Sequence, residues 1–104
     1  MANSTIMKDR WFGEIIPNNA NLNNYTNPGY YTSSENSSTL TNCPYTNNVD
    51  FYLHVEPNST PLGITNGTIT QKAYKYDNPR QLYYRVYDGS SWSNWIYANL
   101  GFTS

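Results

Sequence analysis

Apolar and polar side chains alternate most regularly in the second half of the chain. The segment FYLHVE at 51–56 places Phe, Leu and Val on one side and Tyr, His and Glu on the other. This period of two predicts a half-buried antiparallel strand, which Pro57 is expected to end. The segments 69–76 and 82–87 are rich in β-branched and aromatic residues and predict two further strands. The segment 92–97 is predicted to return beside 82–87.

The first half of the chain is less regular. The Asn-Pro-Gly turn at 27–29 predicts a strand at 30–32. Asparagine-rich and serine-rich stretches predict loops before and after that strand and again at 58–67, because these side chains hydrogen-bond their own backbone. One helical turn is expected around 19–24, with Asn18 as its N-cap.

The segment 4–16, which Gly13 interrupts, predicts either a short helix or the end of a stalk. The predicted fold is therefore mainly β, a small antiparallel meander with long loops and at most a short N-terminal helix. It divides into a lead-in over 1–17 and a β domain over 18–104.

The pair Asp88 and Gly89 is the strongest hairpin signal in the sequence. A two-residue turn would place Arg85 opposite Trp92, whereas a four-residue loop would make them diagonal neighbours. Both registers put Arg85 and Trp92 on one sheet face, and both put Tyr84, Val86 and Trp95 on the other. A guanidinium stacked on an indole contributes roughly 0.5–2 kcal/mol. A structural role for Arg85, Trp92 and Trp95 is thus favoured over ligand contact.

Composition restricts the protein class. The 104 residues amount to one domain, and charged residues make up 12% of them, against about 25% in ordinary soluble domains. Eleven Tyr, three Trp and three Phe carry much of the apolar character. Such a chain is either a disordered low-complexity segment or a compact β domain with an adaptable polar and aromatic surface. The strand patterns favour the second. With Cys43 as its one cysteine the chain has no intrachain disulfide, so a symmetric oligomer is expected to support the small core.

Charge and residue content exclude several functions. A net charge of -1 gives no basic surface for nucleic acid. No apolar run approaches the roughly 18 residues of a membrane span, and the sequence begins without the features of a secretory signal. The single histidine, His54, and the scattered acids make no metal-ligand cluster or phosphate loop. Cys43 in a polar loop is a poor nucleophile candidate. A non-enzymatic protein without metal or cofactor is predicted.

A series of short motifs gives a resemblance to a known family. The motifs are, in order, Asn21-Leu22-Asn23, Pro28-Gly29-Tyr30-Tyr31, Tyr52-Leu53-His54-Val55, Ile69-Thr70-Gln71-Lys72-Ala73-Tyr74, Tyr83-Tyr84-Arg85, Trp92 and Trp95. Over roughly residues 18–100 this order resembles the knob domain of R-type pyocins and bacteriophage tail fibres. The resemblance implies a homotrimeric, non-catalytic receptor-binding tip of a fibre, located on the virion and attaching it to a host surface glycan. Fibre proteins are usually far longer, so the chain is interpreted as an excised C-terminal fragment or an internally started product.

Four side chains form the predicted glycan-binding site: Tyr52, His54, Tyr74 and Tyr76. Tyr52 and His54 face away from the apolar side of their strand, and Tyr74 and Tyr76 share one face of theirs. Flat rings beside hydroxyl and amide groups suit a neutral or weakly charged saccharide. The same tyrosines could instead fill a core or a trimer interface. Three functions thus stay open: a receptor-binding tip, a trimerisation or folding module, and a carbohydrate-binding module of an enzyme.

Overall fold

The computed structural model describes residues 13–59, 65–75 and 81–98. One mixed sheet has six strands in chain order: β1 (Glu14–Ile15), β2 (Gly29–Thr32), β3 (Phe51–Ser59), β4 (Thr65–Lys75), β5 (Leu82–Tyr87) and β6 (Ile96–Ala98). Single-turn 3-10 helices occupy Leu22–Asn24 and Ser37–Thr39. The strands from β2 to β6 pair antiparallel, which confirms the predicted mainly β meander. The pairing of β1 with β2 is parallel, which departs from the predicted antiparallel meander, and it places residues 14–15 in the sheet where a short helix or the end of a stalk was predicted.

The prediction that Pro57 ends its strand is wrong. β3 continues to Ser59, and Pro57 pairs with Ile69 before an irregularity in the register. The amide and carbonyl of Phe51 both bond to Ser33, on the side of β2. Alternation along β3 turns the nitrogen of Pro57 to that same side. Gly29, the first residue of β2, pairs with Val55, so β2 has no residue opposite Pro57. The missing N–H therefore costs no ladder hydrogen bond.

Other boundaries also differ from their predictions. The returning strand β6 covers Ile96–Ala98 and not 92–97, and Trp92 forms only an isolated bridge to Tyr87. β4 begins at Thr65 and includes Gly67, whose φ of 83° lies in the left-handed region. The first 3-10 turn is capped by Asn21, whose side-chain oxygen accepts from the amide of Asn23 at 2.9 Å. Asn18, the predicted cap, instead accepts a hydrogen bond from the side chain of Asn36. The side chain of Asn18, which the local sequence pattern assigned to capping, is thus used in a long-range hydrogen bond with Asn36.

Gly13 allows the lead-in to join the sheet. Its φ is +74°, and a Cβ atom at this position would lie 1.9 Å from the carbonyl oxygen of Tyr30. Only glycine permits such a close approach of two backbones. The following residues form β1, and Ile16 is fully buried in the core. The part of the predicted lead-in before Gly13 lies outside the described residues.

The core lies on one face of the sheet, called here the inner face. Phe51, Leu53, Val55, Ile69 and Ala73 point into it. The segments 16–28 and 33–49, called here the covering loops, pack on this face. They contribute Ile16, Leu22, Leu40 and Tyr45 to the same cluster.

Polar contacts attach the covering loops to the sheet. The hydroxyl of Tyr45 lies 3.1 Å from the carbonyl oxygen of Ala73 and 2.6 Å from that of Gln81. Burial raises the pKa of Tyr45, so this hydroxyl stays protonated. Asn36 donates to the carbonyl of Ile16 at 2.9 Å. Loops with little regular structure can be buried here because side chains form hydrogen bonds with their backbone N–H and C=O groups.

Candidate functional site

The opposite face of the sheet, called here the outer face, brings four aromatic rings together. Cross-strand register pairs Tyr30 with His54 and Tyr52 with Tyr74. Residues paired across a ladder project from the same face. The four rings surround an open depression of about 200 Å³. We call Tyr30, Tyr52, His54 and Tyr74 the aromatic platform.

The platform presents flat rings to solvent. Tyr30 and His54 are stacked, with ring centroids 4.2 Å apart and planes within 7° of parallel. Tyr30 is 59% exposed and Tyr74 is 38% exposed, while Tyr52 and His54 are half-buried. The stack fixes the orientation of two rings from different strands. A ligand would therefore meet a preformed surface.

Charged groups adjoin the platform on the same face. Lys72 pairs across the ladder with His54, and its ammonium lies 2.7 Å from a carboxylate oxygen of Glu56. The hydrogen bond to Glu56 raises the pKa of Lys72. The other oxygen of Glu56 lies 3.9 Å from Nδ1 of His54. Donors and acceptors thus stand next to apolar rings, the combination that saccharides require.

Three of the four predicted platform residues share one face. The structure brings Tyr52, His54 and Tyr74 together, and Tyr76 lies outside the described residues. Sequence reasoning missed Tyr30. The alternation of side chains along β2 could have identified Tyr30, because it buries Tyr31 and turns Tyr30 outward.

The closing hairpin adopts the longer of the two predicted loops. Tyr87 bridges Trp92, which leaves the four residues 88–91 as the loop. The carboxylate of Asp88 accepts from the amides of Ser90 and Ser91 at 2.9 and 2.8 Å. The hydrogen bond from Ser91 contributes most to lowering the pKa of Asp88. This is the Asp-initiated turn expected from the residue types.

Arg85 stacks on Trp92, as predicted, but Trp95 lies on the same side, contrary to prediction. The guanidinium carbon is 4.0 Å from the ring centroid of Trp92 and 4.5 Å from that of Trp95. Tyr87 pairs with Trp92 but Tyr84 pairs with Ile96, so the returning strand contains one extra residue. An extra residue in one strand reverses the sheet face of the residues that follow it. Trp95 therefore lies on the same face as Trp92 and contacts Arg85.

A buried hydrogen-bond chain links Arg85 to the covering loops. The Nε of Arg85, a residue only 3% exposed, donates to Gln71 Oε1 at 2.8 Å. The amide nitrogen of Gln71 donates to the carbonyls of Leu22 and Tyr25 at 2.8 and 2.9 Å. Burial lowers the pKa of Arg85 to about 10. Sequence reasoning missed Gln71, because a polar residue in a strand is normally assigned to solvent.

Beside this chain lies the second depression, called here the hairpin pocket. It has a volume of about 440 Å³ and is lined by Asn23, Asn42, Arg85 and residues 90–95. The indole N–H of Trp95 donates to the carbonyl of Asn42 at 2.9 Å and joins the hairpin to the covering loops. The hairpin pocket opens on the inner-face side, away from the aromatic platform.

Comparisons with known proteins give no relative. No family model, curated protein or solved structure matches this chain. The resemblance to phage fibre knobs therefore remains a prediction.

Within residues 13–59, 65–75 and 81–98, no three His, Cys, Asp or Glu side chains come close enough to hold a metal ion. Over the same residues, no helix has the length and apolar character to cross a membrane. Cys43 is half-buried, and burial raises the pKa of its thiol to about 11, which makes it a weak nucleophile near neutral pH.

Proposed function

We propose that this protein is a non-catalytic carbohydrate-binding domain that serves as the receptor-binding tip of a phage tail fibre or similar appendage. In this role it attaches the virion to a host cell-surface glycan. The observation that carries the binding proposal is the aromatic platform, four rings around an open depression on a sheet face that no described element covers. The phage assignment rests on the motif order described above.

Physical chemistry supports a sugar as the ligand of the platform. The C–H faces of a pyranose pack on Tyr rings, while ring hydroxyls exchange hydrogen bonds with Tyr, Lys72 and Glu56. The net charge of -1 disfavours a strongly anionic polymer at this face, so a neutral or weakly charged saccharide is proposed. A single site of this size binds weakly, in the range of about 10 μM to several mM, because few ligand atoms are buried. A homotrimer on a repeating polymer would gain strength by avidity.

A second candidate function has its own observation. Beyond the platform, the outer face continues across β5 and β6 with Leu82, Tyr84, Val86 and Ile96, and Ile96 is 46% exposed. No element in the described residues covers this face. Exposed apolar patches of this kind often mark protein interfaces. The domain would then act as a trimerisation or folding module of the fibre, with the outer face buried between subunits.

Adsorption to cells, with matched variants, tests the binding proposal. The labelled domain is incubated with a panel of bacteria and with their purified cell-wall saccharides. Tyr74→Ala and Tyr30→Ala should each weaken binding by about tenfold or more, as loss of a stacking ring does. Tyr97→Ala is the control, since Tyr97 is similarly exposed but contacts Tyr83 on β5, away from the platform. Tyr76→Ala is a separate arm for the fourth predicted residue.

The outcomes separate the alternatives. Loss of adsorption in the platform variants, with Tyr97→Ala unchanged and all variants folded by circular dichroism, supports the proposal. A wild-type domain that is trimeric by analytical ultracentrifugation and binds no cell wall supports the trimerisation module. A monomer that binds saccharide indicates a carbohydrate-binding module of an enzyme. Equal binding by all variants contradicts the platform as the site.

A further inference from the structure

Two buried polar atoms lack partners, and both belong to residues that line the hairpin pocket. Among the described residues these are the side-chain oxygen of Asn23 and the Nη2 nitrogen of Arg85. One is a hydrogen-bond acceptor and the other is a charged donor. Buried groups of this kind are nearly always satisfied in folded proteins, by protein, water or ligand. Because both residues line the same pocket, the two atoms point to a missing partner with both functions.

Among the described residues, no carboxylate forms an ion pair with the guanidinium of Arg85. The ion pair found in these residues, Lys72–Glu56, lies on the outer face. The pocket is lined otherwise by Asn, Ser and Trp side chains, all neutral. A buried cation without an anion is costly, and burial lowers its pKa accordingly. A bound anionic group would supply the missing charge.

The donor is held in a fixed orientation before any ligand arrives. The rings of Trp92 and Trp95 both lie against the guanidinium, and Gln71 holds its Nε. Gln71 is anchored in turn to two backbone carbonyls of the covering loops. A planar guanidinium fixed in this way suits recognition of a carboxylate or phosphate.

We propose that the hairpin pocket binds an anionic saccharide unit, a sugar ring bearing a carboxylate or a phosphate. An anionic oxygen accepts from Nη2 of Arg85, and a ring hydroxyl donates to the side-chain oxygen of Asn23. The pocket lies on the inner-face side of the sheet, so this site is separate from the aromatic platform. It adds a charged subsite to a protein whose platform favours neutral sugars.

Titration of the folded domain followed by ¹H–¹⁵N NMR tests this proposal. The ligands are glucuronic acid, glucose 6-phosphate, inorganic phosphate and glucose. The indole N–H signals of Trp92 and Trp95 should shift with an anionic sugar, with a dissociation constant of about 0.1–10 mM. Glucose should bind about tenfold more weakly because it lacks the anionic group, and inorganic phosphate should bind about tenfold more weakly because it lacks the sugar ring. The two anionic sugars distinguish a carboxylate from a phosphate as the recognised group.

Substitution of Asn23 provides the decisive variant. Asn23→Asp keeps the shape of the side chain but puts a carboxylate into the pocket, where it competes with the ligand for Arg85. It should lower affinity for the anionic sugar by about tenfold or more. Asn24→Ala is the matched control, since Asn24 belongs to the same 3-10 turn but is exposed and outside the pocket lining. It should bind like the wild type.

The proposal fails if neither anionic sugar shifts the two indole signals at concentrations of about 50 mM, well above the expected range of dissociation constants. It fails equally if folded Asn23→Asp binds as the wild type does. Failure of the platform is recognised separately: it would appear as unchanged cell adsorption by Tyr74→Ala, whereas the titration of the hairpin pocket does not depend on Tyr74.

Discussion

The two faces of the sheet differ in what covers them and not in how aromatic they are. On the inner face, Phe51 and Leu53 are fully buried beneath the covering loops. On the outer face, Tyr30 and Tyr74 remain in solvent. Tyr30 and Tyr31 are adjacent in sequence, yet Tyr30 is 59% exposed and Tyr31 only 9%. Tyrosine content thus identifies neither core nor site. We expect stability to depend on the inner face and binding on the outer face.

The largest effect should come from truncating the inner face. Phe51→Ala should cost about 3–5 kcal/mol in the free energy of unfolding, because it removes a fully buried ring that packs against Tyr45. Tyr74→Ala on the outer face should cost less than about 1 kcal/mol. Urea unfolding followed by tryptophan fluorescence measures both. Similar losses for the two variants would mean that the outer face is covered in solution and would contradict the comparison.

Thiol reactivity reports how well the covering loops close the inner face. Burial raises the pKa of Cys43 from 9.0 to about 11, and only the thiolate attacks a disulfide reagent. At pH 8 the thiolate fraction of the folded protein should be about 100-fold smaller than that of the urea-unfolded chain. The reaction should be about tenfold or more slower, because a thiolate of higher pKa is the stronger nucleophile. The rate should keep rising about tenfold per pH unit above pH 9, where an exposed thiol levels off.

The measurement for Cys43 is the rate of labelling by an aromatic disulfide reagent between about pH 7 and 10. Folding at each pH is checked by circular dichroism. Equal rates for folded and unfolded protein would show that the covering loops open freely around Cys43.

The hairpin should contribute less than the main core. Arg85→Ala removes a side chain that contacts two indoles and leaves Gln71 Oε1 without its donor. We expect a loss of about 1–3 kcal/mol in the free energy of unfolding. Arg85→Lys should restore only part of it, because an ammonium cannot stack between planar rings. Thermal unfolding of the three proteins tests this, and an unchanged Arg85→Ala melting temperature would mean that the stack is inert.

The smallest effect should come from the charged pair of the outer face. Lys72 and Glu56 are partly exposed, so Lys72→Ala should cost about 0.2–1 kcal/mol. Because screening weakens exposed pairs, the difference should shrink when the salt concentration rises to about 1 M. Chemical unfolding at low and high salt measures this difference. A cost that is large and independent of salt would indicate a buried outer face.

Local pattern predicted much of the fold. Period-two alternation identified β3 without its last three residues, and the β-branched and aromatic runs identified β5 and also β4, which begins four residues before its prediction. The bounds of β5, Leu82–Tyr87, agree with the predicted strand. The two-residue β1 is too short to produce a periodic signal, and its position depends on a backbone contact between Gly13 and Tyr30.

The site was harder to predict because it depends on register between distant segments. Tyr52, His54 and Tyr74 follow from alternation in single strands. Their grouping with Tyr30 needs the pairing of β2 with β3, which a long loop separates. The extra residue that brings Trp95 to Arg85 has no sequence marker of its own. Long-range contact, not residue type, fixes these positions.

The meander ends in two very short outer strands. In the described residues β1 has two residues and β6 has three, so each border of the sheet presents few unpaired main-chain groups. Long, flat borders invite a second chain to add a strand and grow into aggregates, and short ones resist this. Self-association of this protein is therefore expected to proceed through the side chains of a sheet face and not through the addition of strands.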